Sequence, residues 1–156
     1  MASDLLKLTA LDADDLRVIS AHLQDAVMRV GDMRYLPVEN RFAVVLNRFD
    51  WESAENAASG AGHGFTRRRT GLRFDRVSAV KASNIRQGAP DAVLSLLAIE
   101  FEPADEPSGF ITLVFSGGGA IRLDAECIEA AMTDLGPVWE TSGRPDHQAA
   151  DEAQEG

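Results

Sequence analysis

Between residues 26 and 125 the apolar side chains recur mostly at every second position, and that period confines the middle of the chain to β-strands. AVMRV (26–30) and MRYLP (33–37) flank Gly31-Asp32, which predicts a two-residue hairpin because glycine supplies the positive φ of a primed turn. A turn over 37–40 leads into RFAVVLNRFDW (41–51), a long strand. Phe42, Val44 and Leu46 share one of its faces; Ala43, Val45 and Phe49 share the other. Apolar residues on both sides predict that its middle is covered on both faces. FTRRRTGLRFDRVSAVKAS (65–83) reads as one long strand or two short ones. AVLSLLAIEFE (92–102) follows, and FITLVFS (110–116) pairs with AIRLDA (120–125) across Gly117-Gly118-Gly119.

Helical spacing occurs in two places. After a short strand over 5–11, Leu16, Ile19 and Leu23 recur at helical intervals, with Asp12 as the N-cap and Asp15 as its capping-box partner. Near the other end, Ile128, Met132 and Leu135 form a stripe that predicts a second helix over 124–135, stopped by Gly136-Pro137. The expected fold is therefore α+β: a mainly antiparallel β roll or partly open barrel with an N-terminal and a C-terminal helix. Parallel pairs would need long crossovers, which this spacing does not offer. A C-terminal helix closing such a barrel resembles the pleckstrin-homology-like architecture in element order, which carries no function.

Residues 1–141 read as one domain, since 156 residues suffice for a single core without staples. Residues 142–156 read as an acidic disordered tail. No run approaches the ~20 apolar residues that cross a membrane, so no membrane partner is expected. The opening MASDLLKLTALDADD carries acids where a secretory signal is basic and apolar, and one cysteine, Cys127, excludes an internal disulfide. The expected location is the cytoplasm.

Net charge is −10, which disfavours general nucleic-acid binding. The charge is uneven, however. Between Arg67 and Lys81 stand six bases and one acid, Asp75. Alternation puts Arg67, Arg69 and Arg73 on one strand face, where a row of guanidinium groups suits an anionic or protein partner. The competing reading is that the chain's own 25 acids neutralise the row. At the end of the preceding strand, Arg48, Asp50 and Trp51 are a second candidate contact, Trp and Arg being frequent interface anchors; Trp51 could equally close one end of the core.

Reactive constellations are weak. GAGHG (60–64) lacks the following helix that a phosphate loop requires, and the 117–119 glycines read as a hairpin turn. His22, His63 and His147 show no metal-ligand spacing, so neither metal nor cofactor is expected. Cys127 would sit in the first turn of the second helix, where the dipole lowers a thiol pKa, although a small buried filler explains it as well. The leading expectation is a non-catalytic binding or protein-interaction module. The alternative is a small hydrolase or isomerase with a barrel-mouth pocket using His63, Asp50 or Cys127. A homo-oligomer pairing its β edges is a third possibility.

LNRFDWE (46–52), RRRTGLRFDRV (67–77) and FSGGGAIRLDAECIEAAMTDLG (115–136) resemble a bacterial family known only as a domain of unknown function. The resemblance covers about 5–145. It implies a bacterial single-domain protein of about 150 residues and brings no activity, cofactor or catalytic residue.

Overall fold

The computed structural model describes residues 5–49 and 67–138. Ten strands and one helix follow in chain order: β1 (Lys7–Ala10), α1 (Ala13–His22), β2 (Val27–Arg29), β3 (Met33–Leu36), β4 (Arg41–Phe49), β5 (Arg67–Asp75), β6 (Val77–Ser83), β7 (Val93–Pro103), β8 (Gly109–Phe115), β9 (Ala120–Ala125) and β10 (Ala130–Val138). Every pairing is antiparallel. They form one open sheet in the order β1-β10-β5-β4-β2-β7-β8-β9-β6, with β3 added beside β4. Its inner face wraps a core that includes Phe42, Leu46, Leu72, Phe74, Leu113, Phe115, Leu123 and Met132.

The first helix forms where its cap predicts. Asp12 is extended and accepts a hydrogen bond from the Asp15 amide at 2.8 Å, while the Asp15 carboxylate reaches back to the Leu11 amide at 3.3 Å. Leu16, Ile19 and Leu23 are buried against the sheet, and Ser20 Oγ accepts from the Ile99 amide of β7. The β8–β9 hairpin also forms as expected, with Gly117 and Gly118 at φ of 82° and 90°. The 65–83 run resolves into two strands broken at Arg76, whose φ of 64° turns the chain from β4 and β10 towards β9.

Three expectations are overturned. The helix predicted over 124–135 does not exist: these residues finish β9 and run through β10, which lies between β1 and β5. Ala130, Met132 and Asp134 point inward and are buried, so period two governs here, and the 3.6 spacing of Ile128, Met132 and Leu135 in the same segment was a coincidence. Gly136-Pro137 is no helix stop either. The register shifts between Asp134 and Gly136, Gly136 has φ of 146°, and Pro137 continues the strand beyond the stretch that β1 pairs. With that helix gone, the comparison with a helix-capped pleckstrin-homology-like barrel loses its main support.

The hairpin at Gly31-Asp32 is absent too. β2 and β3 both lie along the same edge of β4, joined by a 3-10 turn over Val30–Asp32. Gly31 is needed for approach, not for φ: its amide donates to Pro90 O at 2.9 Å, and a Cβ there would stand 3.0 Å from Pro90 Cβ. Finally, β4 is buried on one side only. Phe42, Val44, Leu46 and Arg48 are inside, whereas Ala43, Val45, Asn47 and Phe49 are half-exposed. The expectations for residues 60–64 and 142–156 lie outside the described residues.

Candidate functional site

β4 and β5 pair directly from Arg41↔Asp75 to Phe49↔Arg67, so each row across the sheet presents both residues to the same face. Two polar groupings result, one on each side.

On the inner face Arg48 grips Asp134 through two parallel bonds, Nε to Oδ1 at 2.9 Å and Nη2 to Oδ2 at 2.8 Å. Thr70 Oγ1 donates to Oδ1 at 2.8 Å and the Leu6 amide to Oδ2 at 2.9 Å. In return Leu6 O accepts from the Asp134 amide at 2.8 Å. The side chains of Arg48 and Asp134 are 5% and 0% exposed. Burial pushes the Asp134 carboxyl up, but the bonds from Arg48, Leu6 and Thr70 and the Arg48 charge outweigh it, holding the group below its ordinary value. An anion with four donors in place is a structural clamp: it ties the approach to β1, through Leu6, to β10 and β4. Arg48 was expected at a contact surface and lies instead in this clamp, because position 48 has the parity of Phe42, Val44 and Leu46. Arg68, opposite Arg48, is buried as well.

On the outer face the expected alternation holds. Arg69 and Arg73 are exposed and Arg67 is half-buried, on the face opposite Leu72 and Phe74. The Arg67 guanidinium carbon lies 5.9 Å from the Phe49 ring centroid. Arg73 Nε donates to Asp75 Oδ2 at 3.1 Å, and Arg41 Nε to Asp75 Oδ1 at 2.7 Å. Burial pushes the Asp75 carboxyl up, yet these two arginines hold it below its ordinary value. Neutralisation by the chain's own acids therefore applies at this end of the row. Arg69 has no ion-pair partner among the described residues.

Asp50, Trp51, His63 and His147 lie outside the described residues. His22 is half-buried at the end of α1. Cys127 is half-buried in the turn between β9 and β10 and not at a helix end. Among the described residues no three His, Cys, Asp or Glu side chains are grouped to hold a metal ion, and no helix is long and apolar enough to cross a membrane.

Sequence reasoning missed Asp134, which it had placed in a helix beside Leu135. The signal available was the alternation Ala130, Met132, Asp134 against Ala131, Thr133, Leu135.

No curated protein and no solved structure matches the chain. A family model does, over residues 6–147, in keeping with the resemblance carried by the β4, β5 and β8–β10 segments: the chain belongs to the DUF2948 family, proteins of unknown function.

Proposed function

We propose that this protein is a non-catalytic binding module whose working surface is the outer face of β4 and β5, and that it takes an acidic segment of a partner protein. The observation behind the reading is the exposed Arg69–Arg73 row, raised on a half-exposed sheet face in a chain of net charge −10. On the inner face Arg48 and Asp134 engage each other in the clamp, whereas Arg69 has no ion-pair partner among the described residues. A guanidinium fork recognises carboxylates in two-point fashion, and the acidic body steers away nucleic acid and anionic lipid at long range.

The open sheet curls into a partly open roll in this reading. Its supports are the Val77 amide donating to Asn40 O at 2.9 Å and Tyr35 OH donating to Val77 O at 3.1 Å, which draw β6 towards β3 and β4. Residues 1–141 act as one domain with 142–156 as an acidic tail, and the single cysteine fits a reducing cytoplasm.

Titration of the full chain with poly-L-glutamate tests the function. The expected result is salt-sensitive binding that Arg69→Glu with Arg73→Glu weakens by more than about tenfold, with an unchanged circular dichroism spectrum. Binding that is absent, or indifferent to this reversal, overturns the reading.

A further inference from the structure

Arg69 and Arg73 form only one side of a larger feature. Register places Arg34 of β3 opposite Ala43 of β4, and Ala43 opposite Arg73 of β5. Directly opposed residues of an antiparallel pair share a face, so Arg34, Ala43 and Arg73 form one row on the outer surface. A second crossing lies further along β4. Val27 of β2 opposes Asn47, which opposes Arg69, and Arg29 shares the parity of Val27. Arg29, Val27, Val45, Asn47, Arg69 and Val93 line one shallow depression of about 230 Å³.

β2 and β3 are two strands away from β5, and strands lie ~4.8 Å apart, so the two arginine walls stand about 10 Å apart. The floor between them is Ala43, Val45 and Asn47, small or short side chains that are half-exposed, with Gly71 beside Val45. Arg29 and Arg34 are exposed and, like Arg69, have no ion-pair partner among the described residues. Arg73 gives one donor to Asp75 and remains 52% exposed. One acid, Asp32, also lines the depression.

We propose that Arg29 and Arg34 on one side and Arg69 and Arg73 on the other wall a single channel along β4, which binds an extended peptide whose successive acidic side chains reach the two walls in turn while its backbone lies over the small floor. An extended chain sends successive side chains to opposite sides, so a channel with cations on both walls and little side-chain bulk beneath matches it in charge and in width. A row on one wall would suit any anion; two walls over Ala43 and Val45 select a strand-like one. Bases of a single-stranded nucleic acid need aromatic platforms, and among the described residues the outer face of β4 and β5 offers Phe49 alone. This inference rests on the proposed function and names the class of its ligand.

The test is fluorescence titration of the full chain with a labelled peptide of about twelve glutamates, which carries acids on both flanks when extended. Arg29→Ala with Arg34→Ala is expected to weaken binding by about tenfold or more, as is Val45→Trp, which fills the floor. Arg17→Ala with Arg122→Ala removes the same charge from exposed positions on α1 and β9 and is expected to change affinity less than about twofold. Thermal unfolding of each variant verifies its fold, and Val27→Trp serves as a second floor variant if Val45→Trp does not fold. If the wall and floor variants bind as the parent does while Arg69→Glu with Arg73→Glu does not, the channel is overturned and the one-sided surface stands. If no arginine variant matters, both fall. Equal affinity for oligo-dT overturns the peptide class. Binding that appears only after neutralising Asp151, Glu152 and Glu155 makes the chain's own acidic segment the occupant and overturns the partner.

Discussion

Arg68 and Arg69 are neighbours in the chain and live in opposite surroundings. Arg68 is 7% exposed on the inner face across from Arg48, while Arg69 stands on the open outer face beside Asn47. Arg48 and Arg69 make the contrast energetic. The buried Arg48 guanidinium is stabilised by Asp134, which meets it with two-point geometry while Thr70 and Leu6 satisfy the remaining lone pairs. An exposed one costs little and contributes little to stability, so it is available for recognition. In this protein the side of the sheet, and not the residue type, decides whether an arginine is buried or open to solvent.

Removing Asp134 breaks the inner pair and should have the largest effect. Asp134→Ala takes the two-point carboxylate away from buried Arg48 and should lower the unfolding free energy by about 3–5 kcal/mol in a urea titration. Replacing both partners, Arg48→Met with Asp134→Leu, should recover most of that loss; a double variant as unstable as the single would show that the clamp is not a pair. Acid sharpens the same contrast. The Asp134 carboxyl is held below its ordinary value when folded, so its contribution is complete above the unfolded value of about 4 and is lost as pH falls below it. Thermal melts from pH 6 to pH 2 should therefore show a steeper acid decline in the parent than in the double variant. Thr70→Val removes one donor from the buried carboxylate and should cost about 1–3 kcal/mol. Arg69→Ala should change stability by no more than about 0.5 kcal/mol while weakening capture of acidic peptide. A destabilisation as large as that of Asp134→Ala would erase the distinction between the two faces.

Much of this was legible from spacing. Asp12 with Asp15 marked the helix start, and Phe42, Val44 and Leu46 against Ala43 and Val45 gave the two faces of β4. The Arg67, Arg69, Arg73 row likewise followed from parity alone. Reading failed where two periods fit one segment. Ile128, Met132 and Leu135 satisfy a helix, and Ala130, Met132 and Asp134 satisfy a strand; the pairing of β10 with both β1 and β5 selects the second. The arginines on the far side of β4 from this row were invisible for another reason. Arg29 and Arg34 lie more than thirty residues from Arg69 and Arg73 in sequence and meet across β4 only in the folded sheet.

Taken alone, the sequence determined which residues of each strand face together, because side-chain parity is a local property of extended backbone. Tertiary structure decided which strands are neighbours, and hence that Arg48 meets Asp134 inside while Arg34 and Arg73 flank Ala43 outside. Those partners are set by long-range hydrogen-bonded register, which no local period encodes.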